Sequence, residues 1–158
     1  MSPLAPGTVN GPPAAAAPAD PASPDYGFQL EAADPSAIPG GQVRRANAAD
    51  FPVLRGLAVF SVFLDAGASR AAHFHPNAAE VDYLIEGSAR ITLVNPAGQV
   101  STVDMQAGDV AFMPPAWPHW LDNTGDGRLH AVFAYSHEQP QTFELAAINA
   151  AYNGDAQD

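Results

Sequence analysis

Two histidines one residue apart, a glutamate shortly after them and a later histidine are the residues best suited to chemistry. His73 and His75 share one face of an extended segment, because alternate side chains of a strand point to the same side. Glu80 starts an alternating segment over 80–86 that we expect to run back beside these histidines. His119 follows a proline pair and is expected to reach the same point from the opposite wall. The spacing therefore predicts a cluster of three imidazoles and one carboxylate.

Such a cluster has the composition of a metal site without sulfur. Imidazole and carboxylate ligands suit divalent manganese, iron, nickel, zinc or copper, and we expect one ion per chain. On a six-coordinate ion, four protein ligands leave two positions for water, substrate or dioxygen, as catalytic sites require. A single histidine in a strand is ordinarily a hydrogen-bonded core or surface residue. The grouping of four potential ligands favours the metal, whereas His130 and His137 have no such context and are interpreted as ordinary residues.

The elements around these residues are predicted to be short strands. Segments rich in β-branched and aromatic residues alternate with turn signals every 6–10 residues, a pattern typical of an all-β barrel or sandwich. A strand buried on both faces is predicted over 57–64. Gly87–Ser88 has the composition of a tight hairpin connection. Only 142–152 is predicted to be helical, with a packed stripe formed by Phe143, Ala146, Ala147 and Ala150.

Length and composition predict one folded domain. Of 158 residues, the first 27 are rich in Pro, Ala and Gly, and we expect 1–27 to form a disordered arm and 28–158 a single domain. The chain has no cysteine, which excludes disulfides and thiolate chemistry.

The charge of the chain restricts its partners. The net charge is −11 and all six basic residues are arginines, which disfavours nucleic acid and anionic membranes. A small anionic ligand remains compatible, because a bound cation and Arg70 can set the local potential of a pocket. No apolar segment has the length of a membrane span and no signal sequence is visible, so a cytoplasmic location is expected. Barrels of this size commonly bury a face or edge, which predicts a homodimer or a higher homo-oligomer.

Two sequence motifs resemble those of the cupins. The spacing of the first motif is met throughout, and in the second Ala116 stands where glycine is usual. The matching residues are Gly67, His73, His75, Glu80 and Gly87 in the first motif and Gly108, Pro114, His119 and Asn123 in the second. The resemblance implies a double-stranded β-helix, the cupin jelly-roll barrel, with a short C-terminal helix appended here.

Within the cupins, residues 39–133 resemble one unit of the oxalate decarboxylases, which carry two such units in tandem. This resemblance implies manganese held by the three histidines and the glutamate, with oxalate or a similar small carboxylate bound nearby. Arg70 matches the arginine with which that family orients oxalate, and its alternative is a surface charge at a loop edge.

The proton-transfer residue departs from the resembled family. The decarboxylases carry a glutamate on a segment after the last barrel strand, and alignment on Thr142–Phe143 places Gln139 there, with Glu138 adjacent. Glutamine cannot transfer a proton, so Glu138 is the candidate acid/base. Without it, the resemblance implies oxidation, as in germin-type oxalate oxidases. Two other hypotheses are a non-catalytic module that binds metal and carboxylate, and a different cupin chemistry such as sugar-acid isomerisation or a dioxygenase reaction.

Overall fold

The computed structural model describes residues 25–155 as two antiparallel sheets followed by one short helix, which confirms the predicted all-β class. The predicted arm, 1–27, lies almost entirely outside the described residues. A 3₁₀ turn over Leu30–Ala32 precedes the strands. The strands are β1 (Ser36–Ile38), β2 (Gly41–Ala46), β3 (Ala58–Leu64), β4 (Ser69–Phe74), β5 (Glu80–Glu86), β6 (Ser88–Val94), β7 (Val100–Gln106), β8 (Val110–Met113), β9 (His119–Asn123), β10 (Leu129–Tyr135) and β11 (Phe143–Glu144), and the helix is α1 (Leu145–Asp155).

The two sheets divide strands that are adjacent in sequence. The six-stranded sheet has the order β1-β2-β3-β10-β5-β8, and the five-stranded sheet has the order β11-β4-β9-β6-β7. β5 and β6 therefore lie in different sheets, and the predicted hairpin at Gly87–Ser88 is wrong. Gly87 instead carries the chain from one sheet to the other with φ +93°, and a Cβ there would lie 3.3 Å from the Leu129 Cα. Both features favour glycine.

The core lies between the facing sheets. β5 alternates as predicted, with Glu80, Asp82 and Leu84 buried and the intervening side chains exposed. In β3, the adjacent Ser61 and Val62 are both buried, as expected for a strand covered on both faces. Each large apolar side chain fully removed from water contributes about 2 kcal/mol. The largest apolar side chains that are less than 2% exposed are Leu64, Leu84, Ile91, Met105, Met113 and Leu129.

The C-terminal helix begins three residues later than predicted. Phe143 and Glu144 are not helical, because they pair with Phe74 and His73 of β4, and the Phe143 ring stacks on Phe74 with centroids 5.4 Å apart. The predicted packed stripe is not observed, since all four of its members are exposed. Ala146 and Ala147 instead border a cavity of the barrel. Among residues 25–155, no helix is long and apolar enough to span a membrane.

Candidate metal centre

Three strands bring the four predicted ligands together. His73 on β4 is the direct register partner of His119 on β9, and His75 follows β4 by one residue. Glu80 begins β5, which belongs to the other sheet. The sequence predicts Glu80 beside the histidine pair and His119 on the opposite wall, and this arrangement is wrong. His119 is the neighbour of the histidine pair and Glu80 comes from the opposite wall, because β4 pairs with β9 and β5 pairs with β10 and β8.

The four side chains form a compact, buried cluster. Their candidate ligand atoms all lie within 4.8 Å of one another. The Glu80 Oε2 atom is 2.9 Å from Nε2 of His75 and 2.9 Å from Nε2 of His119. Every member is buried, and Glu80 is only 1% exposed. A carboxylate so deeply buried requires compensation by cations or hydrogen bonds.

Backbone carbonyl groups fix the orientation of all three imidazoles. The Nδ1 atoms of His73, His75 and His119 lie 2.7, 2.7 and 2.9 Å from the carbonyl oxygens of residues 71, 141 and 117. A carbonyl oxygen only accepts, so each Nδ1 carries the proton and each Nε2 keeps a lone pair. Three lone pairs and a carboxylate then face one another. These electron-rich groups repel one another unless a cation lies between them. The donor set therefore fits a divalent metal ion.

The protonation states agree with this interpretation. Burial, together with the positive charge of Arg70, lowers the pKa of His73 to about 3, so the imidazole is neutral at neutral pH. Burial opposes ionisation of the Glu80 carboxyl group. A positive charge at this point, supplied by the imidazoles of His119 and His75 as hydrogen-bond donors or by a cation in their place, outweighs burial and holds the pKa of Glu80 well below its ordinary value. Neutral imidazoles and an ionised carboxylate are the forms that bind metal.

Tyr135 and Asp82 support Glu80 from within the six-stranded sheet. The Tyr135 hydroxyl donates to Glu80 Oε1 at 3.1 Å. Burial and the nearby negative charge of Glu80 raise the pKa of Asp82 well above its ordinary value, which favours the neutral form of this carboxyl group. The alternation of β5 already placed Asp82 on the face of Glu80. Tyr135 was missed by sequence reasoning, although it continues the buried alternation of β10.

Arg70 borders the same cavity as His75. The cavity has a volume of about 820 Å³ and is also bordered by Glu144. The Arg70 guanidinium forms an ion pair with Glu144, with Nη2 and Oε1 2.7 Å apart. Sequence reasoning missed Glu144, because nothing in its local pattern distinguishes it from a surface acid.

Glu138 is not brought to the cluster. Its Oε2 atom accepts a hydrogen bond of 2.8 Å from the Gly56 N–H, and its carbonyl oxygen accepts from the Ala48 N–H. Gln139, rather than Glu138, borders the cavity. The two ordinary histidines are engaged elsewhere: His130 Nε2 lies 2.9 Å from the Ser61 hydroxyl, and His137 Nδ1 accepts from the Gln139 N–H.

Ala116 occupies the motif position where glycine is usual, and its backbone is left-handed with φ +64°. This conformation costs a residue with a Cβ about 1–2 kcal/mol. The turn is held by a hydrogen bond of 2.8 Å from the Ala116 N–H to the His75 carbonyl oxygen. Alanine at this position thus raises the conformational free energy of the turn but does not displace the candidate metal ligands.

Comparison with known proteins agrees with this fold and this cluster. The family model described as Cupin matches residues 28–154. The chain belongs to the cupin family, and its two sheets form the predicted jelly-roll barrel.

The relatives include oxalate decarboxylases and germin-like proteins. Oxalate decarboxylase OxdC of Bacillus subtilis is 37% identical over 104 residues, which are 66% of this chain and 27% of that protein. Germin-like protein 1-1 of Oryza sativa is 28% identical, over 68% of this chain and 51% of that protein. A solved structure of the Bacillus oxalate decarboxylase, a protein with Mn(II) centres, superimposes with a TM-score of 0.72 at 33% identity, covering 75% of this chain and 31% of that one. The chain thus spans about a quarter to a half of the length of these relatives.

Proposed function

We propose that this protein is a manganese-dependent cupin that binds oxalate or a similar small carboxylate and converts it by decarboxylase- or oxidase-type chemistry. The observation that carries the proposal is the convergence of three Nε2 lone pairs and the Glu80 carboxylate beside a cavity that contains Arg70. The choice of manganese rests on the Mn(II) centres of the related oxalate decarboxylase. Iron, nickel, zinc and copper would fit the same ligand set.

The metal ion would be held by His73, His75, Glu80 and His119. When bound, it would supply Lewis acidity and a redox centre for a coordinated carboxylate.

The residues around the cluster would orient the substrate. The guanidinium of Arg70 can form paired hydrogen bonds with a substrate carboxylate, provided that Glu144 yields its place. Glu144 therefore competes with the substrate for the Arg70 guanidinium. Tyr135 keeps Glu80 in its ligating orientation, and the apolar Val62 and Phe133 limit water on the barrel side of the cavity.

Proton transfer would require a rearrangement after β10. Glu138 is the acid/base that we propose, and it must leave the Gly56 N–H before its carboxylate can serve the cavity. This anchoring favours the second candidate function, a module that binds metal and carboxylate without turnover. The two functions differ in their products, not in their ligands.

A product assay tests the catalytic proposal. Manganese-loaded protein incubated with oxalate in air is expected to form either formate and carbon dioxide, or two molecules of carbon dioxide with reduction of dioxygen to hydrogen peroxide. Arg70→Gln is expected to lower kcat/KM by about 10- to 100-fold, since a hydrogen bond between charged groups is lost. The control is Arg90→Gln, because Arg90 is exposed and paired with Asp104 on the outside of the barrel. Recovery of intact oxalate without formate or peroxide from about pH 3 to 8, the range where carboxylates and histidines titrate, would leave only the binding module.

The outer face of β5 and β8 is the surface through which we propose that two copies associate. Val81 pairs with Phe112 and Tyr83 with Val110. All four side chains are exposed, and Phe112 is 58% exposed. In a chain of net charge −11, an uncharged apolar face is where two copies can approach with least repulsion.

Phe112→Asp is expected to convert a homodimer into a monomer, because it places a charge on this face of each copy. Light scattering after size-exclusion chromatography at micromolar concentration measures the mass. Val103→Asp, on the exposed side of β7, is the control and should leave the mass unchanged. A monomeric mass for the unmodified protein would refute the association.

A further inference from the structure

We propose that Arg45 anchors the second acidic group of a longer ligand, so that the cavity accepts an elongated dianion such as a linear dicarboxylate in addition to the small carboxylates of the proposed function. The inference rests on the proposed function, in which the metal end of the cavity binds a carboxylate. It concerns the far end of the same cavity, which Arg45, Asn47 and Ala49 border.

Two arginines border the cavity, and they differ in how they are neutralised. Arg70 is already paired with the Glu144 carboxylate at 2.7 Å. Arg45 donates from Nη1 to the neutral Ser36 hydroxyl at 2.8 Å and lies over the Phe60 ring, with its Cζ 5.3 Å from the centroid. Among residues 25–155, Arg45 forms no ion pair. The uncompensated cation of the cavity is therefore Arg45.

Three of the six arginines, Arg45, Arg55 and Arg128, form no ion pair among residues 25–155, and of these three Arg45 is the one that borders the cavity. A guanidinium beside apolar walls attracts anions more strongly than one in bulk water, since screening there is weaker. The net charge of −11 would otherwise repel an anionic ligand.

The surface between Arg45 and the metal cluster is aromatic and aliphatic. The Phe60 ring lies 4.7 Å from the Tyr135 ring, which lies 4.9 Å from the His75 ring. Val43, Val62 and Phe133 border the same part of the cavity. A positive group at each end and an apolar middle complement a ligand with two acidic ends and a hydrocarbon chain between them.

The positions of the two ends favour a ligand longer than oxalate. Arg45 lies on β2 and Glu80 on β5, three strand spacings apart in the sheet order β2-β3-β10-β5, which corresponds to about 14 Å between the two backbones. Between the Arg45 guanidinium and His75 lie the rings of Phe60 and Tyr135. The two carboxyl groups of oxalate are joined directly, whereas those of a longer dicarboxylate are separated by a chain that can pass these rings.

Calorimetric titration of the manganese-loaded 158-residue chain tests the inference. The probes are the linear dicarboxylates from malonate to suberate, each compared with the monocarboxylate of the same number of carbons. At the matching length, the dicarboxylate is expected to bind about 10- to 100-fold more tightly than its monocarboxylate, as a charge-assisted hydrogen bond would provide.

Arg45→Gln is expected to reduce this ratio of affinities to about one, and Arg45→Lys to retain part of it. Arg55→Gln is the matched control, because Arg55 is exposed and does not border the cavity, and its ratio should equal that of the unmodified protein. Thermal melting of each variant establishes that it is folded before titration.

The possible outcomes separate the two proposals. Equal binding of mono- and dicarboxylates by the unmodified protein would overturn the role of Arg45 and leave the carboxylate site standing. A dicarboxylate preference that survives in Arg45→Gln would also overturn the assignment. Failure of every carboxylate to bind would refute the proposed function and this inference together.

Discussion

Saturating the protein with Mn²⁺ is expected to raise its Tm by about 12 °C. A ligand that binds only the folded state at a thousandfold excess over its Kd stabilises that state by about 4.1 kcal/mol, and each kcal/mol shifts the Tm of a domain of this size by about 3 °C. The cluster exists only after β4, β9 and β5 have paired within the two sheets, so an unfolded chain cannot offer the same ligands. Differential scanning calorimetry with and without the ion measures the shift.

Glu80→Gln is expected to abolish most of this shift, because it removes the one negative charge of the cluster. Glu86→Gln is the matched control, since Glu86 lies on the same strand and is exposed. An equal response of the two variants would show that the ion binds elsewhere. So would an equal response of the unmodified protein to Mg²⁺, which binds poorly to imidazole.

Asn123→Ala is expected to lower the free energy of unfolding by about 3 kcal/mol. The buried Asn123 amide nitrogen donates to the carbonyl oxygens of Leu64, Asp65 and Gly127 at 3.2, 2.9 and 2.8 Å, and its oxygen accepts from the Gly125 N–H at 3.0 Å. Each buried partner left without a hydrogen bond costs about 1–3 kcal/mol. Urea unfolding followed by circular dichroism measures the change.

The control for Asn123 is Asn149→Ala on the exposed side of α1, which should change stability by less than about 0.5 kcal/mol. A loss below about 1 kcal/mol for Asn123→Ala would mean that water replaces the amide at the turn. Asn123→Asp keeps the shape and the acceptor but loses the donors, so it should retain only the contact with Gly125.

The ligands of the metal cluster could be predicted from the sequence because their signals are local. His73 and His75 follow the two-residue period of a strand, and the alternation of β5 correctly placed Glu80 on a buried face. Which of the two sheets supplies each ligand could not be predicted in the same way. It depends on which distant strands pair, and His119 lies beside His73 only because β9 pairs with β4.

The cavity shows the same division between local and distant information. Arg70 was a candidate because it matches an arginine of the oxalate decarboxylases, but its pairing with Glu144 joins residues 74 positions apart. The position of Glu138 depends on Gly56, which is 82 positions away. No local pattern encodes such contacts. Arg45 had no motif to distinguish it, and only the structure shows that it borders the cavity and forms no ion pair among residues 25–155.

The hydrogen bond from His75 to the Gln141 carbonyl oxygen makes the metal site and the chain after β10 a coupled system. His73 and His119 are each held by a carbonyl two residues earlier in the chain, but His75 is held by one 66 positions away, at 2.7 Å. Displacement of residue 141 would free the His75 imidazole to rotate, which would lower the affinity of the cluster for the ion. By thermodynamic reciprocity, an ion in the cluster must in turn restrain residue 141 and the short strand and helix that follow it.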